Sequence, residues 1–203
     1  MLELDHLAIA ARSLEDGCDW VRASMGAVPA PGGRHAHFGT HNCLLGLADG
    51  LYLEVIAIDP EAPPLPHARW FDLDRFEGPP RIGNWICRTS DLEATQAALP
   101  GIGPQVALSR SDLRWRMAVP QNGQLPFDNC HPAVIQWDCA AHPAASLPDS
   151  GIALRRLIVT HPEAQELEAR LSTRLADRRV VFETGSVALR AEFDTPGGTR
   201  FLG

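Results

Sequence analysis

The chain has 203 residues, 45% of them hydrophobic and 21% charged, with a formal net charge of -7. That length buries a sizeable core and the composition is ordinary for a globular protein, while an acidic balance without any basic run excludes a surface that tracks nucleic-acid phosphates. No apolar stretch approaches the roughly 18–20 residues of a membrane-spanning helix, and the first residues read as a strand rather than a signal peptide, which makes the cytoplasm the expected location.

In chain order, Leu2–Ala11 reads as a strand, and Ser13 as the N-cap of a helix with Glu15 and Asp16 in its first turn. Leu14, Cys18, Val21 and Met25 recur at helical spacing and predict one buried stripe. Gly26 and the "PAPGG" of Pro29–Gly33 end that helix. Three more strands are predicted at His35–Phe38, Asn42–Leu47 and Tyr52–Ile58, separated by Gly39 and by Asp49-Gly50. Residues 1–58 therefore form a β-α-β-β-β unit.

Residues 59–80 form a connector. "DPEAPPLP" is too rich in proline for a helix or an inner strand, and "ARWFDLDRF" after it suits one short helix. In residues 81–139 the same order returns: a strand at Arg81–Arg88, a helix capped by Ser90-Asp91 and running to Leu99, and strands at Val106–Ser109, Leu113–Val119 and Ala133–Asp138. Residues 140–203 read as a third, degenerate unit. A strand at Ile152–Thr160 leads through His161-Pro162 into a helix with Ala164, Leu167, Leu171 and Leu175 on one face, then strands at Arg179–Thr184, Val187–Asp194 and Thr199–Leu202. Superposing the repeats places Asn84 opposite His6 and Gln136 opposite Glu54. The five cysteines, an odd number without C-x-x-C spacing, argue against a zinc ribbon or a disulfide framework.

Several stretches resemble the vicinal-oxygen-chelate superfamily and its glyoxalase-like proteins: "LDHLAIAARSLED", "GGRHAHFGTHNCLLGL", "YLEVIAIDP", "AVIQWDCAAHPAASLPDSGIAL" and "FDTPGGTRFL". The resemblance implies an α+β fold of repeated β-α-β-β-β modules, whose curved mixed sheets surround a ligand cup. It implies that the first and fourth strands of each module lie side by side and supply metal ligands. Only His6 and Glu54 match that pattern with ligand-capable side chains. Arg156 stands where the third unit would carry a ligand, and Phe201-Leu202-Gly203 where related chains carry the last carboxylate.

Strand alternation supports a site at the same pair. His6, Ala8 and Ala10 share one face of the first strand, and small residues beside a histidine leave open space above it. A carboxylate at Glu54, amid an apolar strand, is costly to bury unless paired or metal-bound. His6 and Glu54 are thus expected to be catalytic. They could serve as two ligands of a divalent ion (Zn, Mn, Fe, Ni or Co) that polarises a substrate carbonyl, as a metal-free acid–base pair, or as a structural ion pair. A metal needs a third ligand, for which His41 in "GTHN" is the first choice and His35 or His37 the alternatives. Asn84 and Gln136 are poor metal ligands but good substrate contacts, and Trp85 and Trp137 suit an aromatic pocket wall. No Walker loop, G-x-G-x-x-G, G-x-S-x-G or H-E-x-x-H occurs, so no nucleotide or organic cofactor is indicated.

The function these readings favour is a divalent-metal-dependent lyase, isomerase or dioxygenase acting on a small oxygenated molecule. The alternative is a metal-free small-molecule binding protein using the same cavity. The expected partners are that small molecule and, through paired modules, a second copy in a homodimer, with neither nucleic acid nor membrane.

Overall fold

Each of the first two units folds so that its first and last strands become neighbours, and a single seam then joins the two. A computed structural model describes residues Met1–Gly203. In the first unit β1 (Glu3–Ala10) leads into α1 (Leu14–Met25), where the Ser13 hydroxyl oxygen accepts from the Asp16 amide at 3.1 Å. The helix ends at Gly26, whose φ of 71° allows its amide to close on the Arg22 carbonyl. Three strands follow, β2 (Ala30–His35), β3 (Thr40–Gly46) and β4 (Tyr52–Ile58), and β4 lies parallel beside β1. The second unit repeats this with β5 (Arg81–Arg88), α2 (Leu92–Ala98), β6 (Gln105–Arg110), β7 (Leu113–Ala118) and β8 (Ala133–Trp137), β8 being parallel beside β5.

Antiparallel pairing of β1 with β5 fuses the two into one eight-stranded sheet of order β2-β3-β4-β1-β5-β8-β7-β6. The sheet curves until its edge strands β2 and β6 touch. Where the sequence predicts loop at "PAPGG", the structure has the start of β2 at Ala30. An edge strand tolerates Pro31 because one side of it needs no ladder hydrogen bonds. The connector carries the expected aromatic turn as a 3-10 helix at Trp70–Arg75, and Trp70 stacks on Phe38 with ring centroids 4.4 Å apart.

The last unit contains α3 (Pro143–Ser146), β9 (Ala153–His161), α4 (Ala164–Leu171), β10 (Val180–Thr184), β11 (Ala188–Thr195) and β12 (Gly198–Leu202). Its four strands form a separate sheet of order β10-β9-β11-β12. Here the strand after the helix pairs parallel with the first strand, a topology different from that of the other two units. This unit packs on the face of the large sheet opposite His6, where Trp85 meets the edge of Phe182 and donates its Nε1–H to the Cys130 carbonyl at 2.8 Å. One cluster of 45 buried apolar residues, from Leu2 to Leu202, runs through all three units. All five cysteines are free thiols. No helix is long and apolar enough to cross a membrane.

Candidate active site

The site begins at an irregularity in the seam. Leu4 pairs with Cys87 and His6 with Ile86, so Asp5 is an extra residue on β1. A bulge of this kind re-aims side chains. Consecutive strand residues ordinarily point to opposite faces, yet Asp5 Oδ1 accepts from His6 Nδ1 at 2.6 Å. The second oxygen, Oδ2, accepts from Trp137 Nε1 at 3.0 Å and from His142 Nε2 at 3.1 Å. Burial alone would raise the Asp5 pKa, but the hydrogen bonds from His142 and His6 outweigh it and hold the group well below the usual carboxylate range.

His6 is thereby fixed with Nδ1–H on Asp5 and Nε2 turned to Glu54 Oε2, 3.4 Å away. Its ring stacks on Tyr52 at 4.4 Å. Burial works against the charged imidazolium, but hydrogen bonds to Asp5 and Glu54 prevail and raise its pKa to about 9. Glu54 moves the other way: burial would raise it, and the His6 hydrogen bond and charge together with the Asn42 amide lower it to about 2. At neutral pH the array is carboxylate–imidazolium–carboxylate, almost wholly buried.

Around Glu54 lies a second set of polar groups from β2, β3 and β6. Leu44 pairs with Glu54 and Asn42 with Ile56, so Asn42 shares the Glu54 face. Its Nδ2 donates to Glu54 Oε1 at 2.6 Å, and its Oδ1 accepts from the Gly33 amide at 2.8 Å and from Arg110 NH1 at 3.0 Å. Arg110 NH1 also lies 3.2 Å from His35 Nε2. A guanidinium only donates, so His35 Nε2 is an acceptor and Nδ1–H points to Thr40 Oγ1 at 3.0 Å. His35 is neutral: burial foremost, with the Arg110 charge added, outweighs the pull of Glu54 and lowers its pKa to about 4.

These groups open on a narrow cavity of about 30 Å³, walled by His6, Glu54, Asn42 and Arg110 and by the rings of Trp70, Trp115 and Trp137. The structure brings His6, Glu54 and Trp137 together, as their strand positions suggest. His41 lies on the opposite face of β3 from Asn42, and His37 stacks on His67 in the turn beyond β2. Gln136 is likewise on the far face of β8, where its Oε1 accepts from the Leu92 amide at 2.8 Å. Trp85 sits in the core under the last unit, outside the cavity. Asn84 pairs with Ala8, but its amide is held by the Asn129 and His131 carbonyls at 3.1 and 3.4 Å rather than by the cavity.

Asp5, Asn42 and Arg110 complete the site beyond the residues singled out from sequence, and His35, read there as an alternative third ligand, is in the cavity wall as a neutral acceptor instead. Asn42 was detectable, since it stands two residues before Leu44 on a strand of period two. Asp5 and Arg110 carried no such signal: one depends on a bulge and the other on closure of the sheet.

The donor set does not fit a divalent ion. No group of three or more His, Cys, Asp or Glu side chains is arranged to hold one, and the nearest approach, His6, Glu54 and His35, is already engaged. Glu54 Oε1 is taken by Asn42, and the lone pair of His35 Nε2 is taken by a guanidinium cation, which repels a metal. His41 is out of reach on the other face of its strand.

Paired β-α-β-β-β modules around a cup, with an ionisable His–Glu pair on adjacent first and fourth strands, define the α+β fold of the vicinal-oxygen-chelate superfamily. The family profile described as glyoxalase-like domain matches residues 4–175, and the chain belongs to that family. No curated protein matches the sequence. Among solved structures, a hypothetical protein from Staphylococcus aureus is similar with a TM-score of 0.62 at 15% identity, over 92% of this chain and 88% of that one. Methylmalonyl-CoA epimerase from Mycobacterium tuberculosis aligns with a TM-score of 0.45 at 19% identity, over 70% of this chain and 91% of its own.

Proposed function

We propose that the cavity is the active site of a lyase- or isomerase-type enzyme that moves a proton on a small oxygenated molecule by acid–base chemistry, without a resident metal. The observation that carries this reading is the buried Asp5–His6–Glu54 array with its reactive face on the cavity. Asp5 fixes the tautomer and orientation of His6. The His6 Nε2–H then donates to a substrate carbonyl oxygen and stabilises the negative charge that develops as the adjacent carbon is deprotonated. Glu54 Oε2, held only by the 3.4 Å contact, is the oxygen left to accept that proton, while Asn42 keeps Oε1 in place. A substrate oxygen inserted between Nε2 and Oε2 weakens the contact that depresses Glu54, and so raises its strength as a base.

The test is deuterium incorporation, followed by NMR, at carbons next to the carbonyl of small oxo and hydroxy compounds. Wild-type protein is expected to catalyse exchange, and Glu54→Gln to lower the rate by about a hundredfold or more. Exchange by Glu54→Gln at the wild-type rate overturns the reading. Stoichiometric uptake of Zn, Mn, Fe, Ni or Co on which exchange depends would replace it with the metal-dependent one. Binding without exchange would leave the cup as a small-molecule binding site.

A further inference from the structure

The proposed function leaves the substrate class open, and one residue bears on it. Eleven other arginines of the chain form ion pairs. Arg116, close by on β7, illustrates the usual arrangement, with Nε and NH2 both on Asp138 at 2.9 and 3.0 Å. Arg110 makes no ion pair, although it is half-buried and lines the cavity. Its NH1 is anchored by Asn42 Oδ1 and His35 Nε2, and neither Nε nor NH2 has a protein acceptor. Those two atoms form the side-on edge of the guanidinium that binds a carboxylate through two parallel hydrogen bonds.

The surrounding architecture makes room for this arrangement. Arg110 crosses from edge strand β6 over Gly33 on edge strand β2, where any Cβ would lie 2.6 Å from Arg110 Cδ. The neutral His35 supplies a lone pair that holds NH1 without cancelling its charge. A continuous relay, Arg110 to Asn42 at 3.0 Å and Asn42 to Glu54 at 2.6 Å, separates the cation from the base by one amide side chain.

We infer that Arg110 anchors a carboxylate of the ligand, so that the narrow cup takes short monocarboxylates of a few heavy atoms, whose apolar end lies against the tryptophan wall. This rests on the acid–base reading only for what happens after binding. A bound carboxylate adds negative potential near Glu54, which raises its affinity for a proton and couples occupancy to base strength.

The experiment compares binding of pyruvate and lactate with that of the uncharged hydroxyacetone, by calorimetry and tryptophan fluorescence, at low ionic strength. Wild-type protein is expected to prefer the two carboxylates by about tenfold or more. Arg110→Gln should abolish the preference between charged and neutral compounds, and Arg110→Lys should keep only part of it. Gly33→Ala, which displaces the arginine without deleting it, should lose the preference too and covers the case in which Arg110→Gln fails to fold. Failure of the wild type to bind either carboxylate, equal binding of charged and neutral compounds, or a preference that survives Arg110→Gln overturns the inference. Deuterium exchange is read separately: carboxylate binding that depends on Arg110, with no exchange, sinks the acid–base reading and leaves this one standing. Exchange confined to neutral carbonyl compounds does the reverse.

Discussion

His6 holds its proton because two carboxylates face it, and that proton should be visible in the stability of the whole protein. A histidine whose folded pKa is raised from 6.5 to about 9 stabilises the fold fully below pH 6.5 and loses that contribution as pH rises through 9. The loss over this window is on the order of 3 kcal/mol. His35 and His131, both lowered to about 4, act in the opposite sense: their contribution is complete above pH 6.5 and is lost as pH falls towards 4. Glu54 adds a further loss as pH falls from 4.5 towards 2. Urea unfolding across pH is therefore expected to show greatest stability near pH 6.5, and His6→Asn should flatten the alkaline side. An alkaline side that stays steep in His6→Asn would disprove the assignment. A chelator is expected to leave the melting temperature of purified protein unchanged, since no donor set is free for a metal; a fall on adding EDTA would contradict that. At this scale His6 and Glu54 were legible in sequence, because a charged group amid small or apolar strand residues has few explanations. Asp5 was not, since a bulge inverts the face that alternation assigns.

Among the elements, the close approach of α1 to β4 depends on Gly17. A Cβ at that position would lie 2.4 Å from Val55 Cγ1 and 2.8 Å from the Ala11 Cβ. Helix propensity alone favours Gly17→Ala by about 1 kcal/mol, but overpacking costs about 1–3 kcal/mol. The expected result is net destabilisation, seen as a lower melting temperature; a rise would show that α1 shifts freely. The elements themselves were mostly legible, because Ser13, Asp91 and the short apolar-rich runs at Tyr52–Ile58 and Arg81–Arg88 signal locally. β2 was obscured by its own composition. Pro31, Gly32 and Gly33 look like a loop, and only the neighbours explain them: Asn42 presses on Gly32, and Arg110 on Gly33. The misplacement of Gln136 and His41 has one cause, a shift of one residue on a strand, which moves a side chain to the other face.

For the molecule as a whole, the last unit covers the convex side of the large sheet, and Trp85 lies in that interface. It is fully buried, packed on Phe182 and bonded to the Cys130 carbonyl. Trp85→Ala should cost about 3–5 kcal/mol. Because one apolar cluster spans all three units, both wild type and variant are expected to melt in a single transition. Two separated transitions would show that the last unit folds independently. The repeat of β-α-β-β-β order announced the paired modules from sequence, whereas the different pairing of β9 with β10 depends on a long-range choice of neighbour that local pattern does not encode.

The β1–β5 seam also sets a division of labour. The first half of the sheet contributes His6, Asn42 and Glu54, the groups that handle a proton, while β6, β7 and β8 contribute Arg110, Trp115 and Trp137, the groups that meet the rest of the ligand. Two side chains of the second half reach back to the first, Trp137 through Asp5 and Arg110 through Asn42 and His35. Substitutions on the β6–β7 hairpin can therefore change which molecules are admitted while the proton-handling half keeps its geometry. A scaffold whose two halves carry separate tasks in this way can exchange its clientele by drift in one half, so long as Arg110 keeps its hold on Asn42 and His35.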